Sequence, residues 1–151
     1  LKQVKALVYV TALAPDEGKK VADVFYSVAP HPLAPKLAPD HNGLIWLPDD
    51  AFKNAFAQDA GAEDLAVLSA VQRPISPACI TVPVKRPLWK DVPSWFLVAE
   101  EDRMILPETQ RFMAERMKAK VRAHTVDHAP IVTAPHVVVE IIREAIRSVV
   151  G

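Results

Sequence analysis

Cysteine is almost missing from this chain. Cys79 is the only one in 151 residues, so an intrachain disulfide is excluded. Net charge is missing too: 18 basic residues balance 18 acidic ones, and no basic block or acidic tail points to a nucleic-acid partner. No apolar run reaches the ~18 residues that a membrane span needs. Glycine is scarce. Gly18, Gly43, Gly61 and Gly151 are the full set, and none flanks a serine. The glycine-lined strand-to-helix turn that mounts a nucleophilic serine is therefore not found in these residues. There is no initiator Met, and Leu1 opens directly onto an apolar run. The chain is expected to be the C-terminal part of an enzyme. No signal peptide is present and a cytoplasmic location is expected, although a chain lacking its N-terminus could have lost a leader.

What is present is ample material for one domain or a large piece of one, since half of the residues are apolar. Val4 to Val10 is short, β-branched and nearly all apolar, as a buried parallel strand is. Trp95 to Ala99 has the same character, and Val121 to Val126 is a third, more mixed strand. Pro107 to Lys118 reads as a helix with proline in its first turn and Met113 and Met117 spaced i, i+4. Pro135 to Val149 is an amphipathic helix whose apolar stripe is Val138, Ile141, Ile142, Ala145, Ile146 and Val149, with Thr133 or Ala134 as its cap. The order strand, long insertion, strand, helix, strand, helix belongs to the α/β class with parallel crossovers.

The insertion, roughly Thr11 to Val92, is too long for a simple crossover. Eleven of the 14 prolines lie between Pro15 and Pro93. Two short helices are expected at Pro48 to Gln58 and Ala62 to Val71, with a small strand at Gly43 to Leu47. Ala29 to Pro39 is irregular or polyproline-like. Trp46, Phe52 and Phe56 favour a packed lid over a flexible linker. The expected division is 1–14 as a core strand and its loop, 15–92 as the lid, and 93–151 as the C-terminal α/β core.

The candidate site is an acid and a histidine at the ends of consecutive strands. Asp102 closes the run that begins at Trp95, and His128 follows the third strand in Asp127-His-Ala-Pro130. This is how an orienting carboxylate and a general base are mounted, and an imidazole that titrates near ~6.5 can both take and return a proton near neutrality. Glu101 is the runner-up acid, and Glu100 with Glu101 reads as an exposed acidic patch. His124 reads as structural or surface and His136 as solvated; His31 and His41 sit in the insertion without an evident partner. His124 and His128 are four apart but straddle a strand end, and even with Asp127 three metal ligands do not assemble, so no metal is expected. Cys79 is expected to be a small buried thiol.

These motifs resemble the α/β-hydrolase fold, and within it the small serine esterases related to plant methylesterases and hydroxynitrile lyases. Lys5 to Gly18 resembles the strand and loop after the nucleophile's helix. Ala51-Phe, Phe56-Ala-Gln-Asp59 and Gln72-Arg-Pro74 resemble the lid. Pro93-Ser-Trp and Asp102-Arg-Met-Ile105 resemble the acid-bearing strand, and Asp127-His-Ala-Pro with Pro135 the histidine loop. The resemblance implies the C-terminal part of an α/β-hydrolase parallel sheet with an inserted helical lid. It also implies a carboxylic-ester hydrolase working through an acyl-enzyme, with His128 as base, Asp102 as its orienter and no cofactor. The serine would come from an upstream half, and the partners would be that half, a small-molecule ester and, in solution, a second copy in a homo-oligomer. Where the related lyases carry a lysine just after the histidine, this chain has Ala129, which favours hydrolysis over cyanide chemistry. Leu33, Trp46, Leu47, Phe52 and Phe56 are expected to make the lid apolar, suited to an apolar acyl or alkyl group. The rival readings are a non-catalytic ligand-binding module on the same fold, and a fold relative with lyase or cofactor-free oxygenase chemistry. This chain by itself is expected to be inactive.

Overall fold

The run Ser94–Ala99, apolar from Trp95 onward, forms the middle strand of a three-stranded parallel sheet, and the other elements are arranged about it. The structure, a computed structural model, describes residues 3–150. The strands are β1 (Leu7–Val10), β2 (Ser94–Ala99) and β3 (Lys120–His124), in spatial order β1-β2-β3. Leu7 pairs with Ser94 on one side of β2, and Trp95 pairs with Lys120 on the other. All six residues of β2 are buried, as expected of a parallel strand covered on both faces.

Alternation along β2 supplies two cores. Trp95, Leu97 and Ala99 point to one face and pack with Val137, Val138, Ile141 and Ala145 of α7 (Pro135–Val150). Phe96 and Val98 point to the other and pack with Met113, Ala114 and Met117 around α5 (Pro107–Arg116), and with Val24 of α1 (Val21–Phe25). The sheet is therefore the middle of three layers. Tyr9 stacks on Phe96 at 5.7 Å, and burial raises the pKa of its phenol above the usual value.

The segment between β1 and β2 is ordered. It carries α1, then α2 (Asp49–Ala51) running into a single π-helical turn at Phe52–Phe56, then α3 (Ala62–Val71), α4 (Ala78–Thr81) and a 3-10 turn at Leu88–Lys90. The helix expected over Pro48 to Gln58 is thus split by the π turn. Gly43 to Leu47 makes no strand; Ile45 alone bridges Pro39 and Ile75. The two ends of the segment are held together where Gly18 N–H donates to Val84 O at 2.9 Å and Val84 N–H to Lys19 O at 2.9 Å. Gly18 has φ of 73°, a conformation that costs a side-chain-bearing residue about 1–2 kcal/mol.

Three further expectations are corrected or narrowed. The first strand is shorter than Val4 to Val10. Of the two residues expected to cap α7, Ala134 directly precedes the helix, whereas Thr133 ends α6 (Pro130–Thr133) and its hydroxyl donates to Asp127 Oδ1 at 2.7 Å. Cys79 is exposed rather than buried, since α4 lies on the surface of the insertion. No helix of the described residues is long and apolar enough to cross a membrane.

Candidate active site

Asp102 lies three residues beyond β2. Glu100 and Glu101 still follow β3, their N–H groups donating to His124 O and Val126 O. The chain then turns inward. Asp102 is buried, and its Oδ1 accepts the backbone N–H groups of Met104 (2.8 Å) and Ile105 (2.9 Å), so the carboxylate closes its own turn. Its second oxygen, Oδ2, accepts from His128 Nδ1 at 2.8 Å.

His128 lies four residues beyond β3, between buried Asp127 and buried Ala129. A carboxylate can only accept, so Nδ1 carries the proton and the neutral ring has its lone pair on Nε2. Nε2 has no protein partner among the described residues. The His128 side chain is only 16% exposed. Glu101, the rival acid, is exposed and offers only its backbone to this region. Of the two, the structure brings Asp102 to the histidine.

Asp127 is fully buried. Oδ2 accepts Asp59 N–H (3.1 Å), while Oδ1 accepts Ala129 N–H (3.0 Å) and the Thr133 hydroxyl. One carboxylate thus holds the histidine loop, α6 and the insertion together. Two more ties bind the insertion to the acid turn: Gln58 Nε2 donates to Glu101 O at 2.8 Å, and Arg103 to Asn54 O at 2.9 Å. The π turn places Phe56 against the His128 ring, with centroids 5.1 Å apart, and Phe52 edge-on behind it. Single π turns inside helices are often found at functional sites.

Two apolar cavities meet at His128. One, about 200 Å³, is lined by Leu13, Val21, Phe25, Ile80 and Ile105 among others. The other, about 520 Å³, is lined by Leu47, Phe52, Phe56, Leu68 and Val71, with Gln72 and Arg73 as its polar members. Leu37, Ile45, Ile75 and Met104 border both. Of the five apolar residues expected here, Leu47, Phe52 and Phe56 line a cavity beside the histidine. Leu33 and Trp46 do not. Both are exposed to nearly half of their surface, and the Trp46 indole donates to Asp40 instead. The N–H groups of Leu44 and Asn42 and this indole hold the Asp40 carboxyl below the usual carboxylate range.

The remaining histidines stay apart from the pair. His124 ends β3 half-buried, His136 is exposed, His31 accepts Leu33 N–H, and His41 lies beside the Asn42 amide. Among the described residues no three His, Cys, Asp or Glu side chains gather as a metal site would need.

Residues 2–141 match the model of the alpha/beta hydrolase family. The chain belongs to that family. No curated protein matches it by sequence. Solved alpha/beta hydrolases share its fold. Polyneuridine aldehyde esterase superposes with a TM-score of 0.78 at 17% identity, over 95% of this chain and 62% of that one. A methylesterase from Arabidopsis gives 0.75 at 12%, over 96% and 60%. A pyrethroid hydrolase from Sphingobium faniae gives 0.73 at 18%, over 95% and 61%. The chain thus spans about three-fifths of the length of these structures. At such identities the likeness carries the fold, and the alpha/beta hydrolase fold hosts several chemistries.

Proposed function

We propose that this chain is the acid- and histidine-bearing part of a carboxylic-ester hydrolase. The observation that carries the reading is the Asp102–His128 pair, with Nδ1 held at 2.8 Å and Nε2 left without a protein partner, at the junction of two apolar cavities. A serine hydroxyl supplied from outside these 151 residues gives its proton to His128 Nε2 and attacks the ester carbonyl. The imidazolium, stabilised by Asp102, returns that proton to the leaving alcohol. Water then opens the acyl-enzyme with the same histidine as base. The reaction needs no cofactor.

The substrate is an ester that is apolar on both sides of the carbonyl, with one arm in each cavity. The combined space lies within the roughly 300–1,000 Å³ of ordinary ligand pockets. The insertion acts as a lid that keeps bulk water from the acyl-enzyme. Ala129, buried beside the histidine, supplies no cation to hold a cyanide leaving group.

The test is His128→Ala in the complete protein, assayed with p-nitrophenyl esters of increasing acyl length. Turnover is expected to fall by three orders of magnitude or more while the fold persists, because triad members act as a unit and leave only a ~10³–10⁴-fold advantage over water when one is lost. Ester turnover close to the unsubstituted protein would overturn the reading. Tight binding of such esters without turnover by the unsubstituted protein would replace it with a binding module.

A further inference from the structure

Gln110 is a fully buried polar residue in the middle of the second core, three residues before Met113 on the inward face of α5. Buried carboxamides are costly unless their polar atoms find partners, and here both N–H donors and the carbonyl oxygen do. Its Oε1 accepts Ala99 N–H at 3.0 Å. Its Nε2 donates one proton to Ile105 O at 2.7 Å and the other to Asp102 Oδ2 at 2.9 Å. The two backbone partners fix which end of the amide is nitrogen, because an N–H must meet oxygen and a carbonyl must meet N–H. The donor toward Asp102 is therefore set by the main chain of the acid turn itself.

Asp102 Oδ2 is the oxygen that also accepts from His128. Its other oxygen is held by two backbone N–H groups. The carboxylate thus has four donors, and the only side chain among them besides His128 is Gln110. We propose that Gln110 is a positioning residue. It fixes the rotation of the Asp102 carboxylate so that Oδ2 stays in line with His128 Nδ1, and it couples α5 to the acid turn. Glutamine meets both demands at once. A glutamate would have at most one proton for two acceptors and would set a second carboxyl against Asp102. An aliphatic side chain would free the carboxylate to turn and would strand Ala99 N–H.

This inference rests on the ester-hydrolase reading for its catalytic consequence, but not for its structural one. The complete enzyme is compared with Gln110→Met and with Gln110→Glu, which keeps the size and the acceptor for Ala99 N–H if the methionine variant folds poorly. kcat is expected to fall about 10- to 100-fold with KM within about twofold, as small misplacements of a catalytic group do. In the Asp102→Asn background, the Gln110 variants should add little further loss, since Gln110 acts through Asp102. Proton NMR supplies a readout independent of turnover. The His128 Nδ1–H signal should be sharp in the unsubstituted protein and broadened or lost in either variant while circular dichroism stays native. The Gln110 carboxamide protons of the unsubstituted protein should resist exchange with water.

Losses that multiply with Asp102→Asn, an unchanged His128 signal, or rapidly exchanging Gln110 protons would each overturn the proposal. A His128 signal that responds to Gln110, in a complete protein that turns over no ester, would leave Gln110 in place and remove the hydrolase reading instead.

Discussion

Two adjacent acids, Glu101 and Asp102, illustrate how one residue's environment decides its use. Both follow the same strand, and the sequence ranked Asp102 first only through its place in the motif. The structure separates them by burial and by donors: Asp102 accepts four hydrogen bonds, while the Glu101 side chain is exposed. Asp102→Asn is expected to cost at least two orders of magnitude in kcat, because an amide nitrogen opposite His128 favours the wrong tautomer. Glu101→Gln should leave ester turnover within a few-fold of the unsubstituted protein. Steady-state kinetics of the two variants side by side give the answer, and a worse Glu101 variant would reverse the assignment. Gln110 was not read from the sequence, although a signal existed. A long polar side chain three residues before Met113 interrupts the buried stripe of an amphipathic helix, and a polar residue in such a place needs partners.

Among elements, those with a strong period were legible. Helix α7 is read to within one residue because its apolar positions recur over four turns. Even there the stripe was drawn too wide, since Ile142 and Ile146 are 40% and 52% exposed while Val137 is buried. Elements α1, α4 and the 3-10 turn at Leu88–Lys90 span three to five residues, too few for any period to declare itself. The π turn at Phe52–Phe56 was invisible for a related reason: it rotates the chain within a helical pattern that looks continuous. The ties from residues 54–59 to both site loops were also hidden, because they join positions far apart in sequence. Asp127→Ala tests the largest of them. It strands Asp59 N–H and Ala129 N–H and leaves the Thr133 hydroxyl with Ala129 O at 3.1 Å, and each stranded buried donor costs about 1–3 kcal/mol. A loss of roughly 3 kcal/mol in urea unfolding is expected, and a loss under 1 kcal/mol would show that these contacts are replaced by water.

On the scale of the whole molecule, the α/β class followed from the sequence because β2 is apolar from Trp95 to Ala99, as a parallel strand covered on both faces is. The route of the chain between β1 and β2 did not follow, because irregular packing leaves no periodic trace. That route makes the sheet uneven. Residues 100–119 separate β2 from β3, whereas residues 11–93 separate β1 from β2. Closing a loop about four times as long costs about 1 kcal/mol more in chain entropy. Strands β1 and β3 each have one unpaired edge among the described residues, so the longer loop is what sets β1 apart. Its amides, Val8 to Val10, should therefore lose protection in native-state hydrogen exchange before those of β2 and β3, and uniform protection across the sheet would refute this. A chain made from its N-terminal end meets this asymmetry in time. At about 5–20 residues per second, roughly 4 to 17 s pass between the synthesis of β1 and that of the neighbour it pairs with. For that interval the apolar strand waits for β2, the neighbour it pairs with here, and its open side is one on which a chaperone would act.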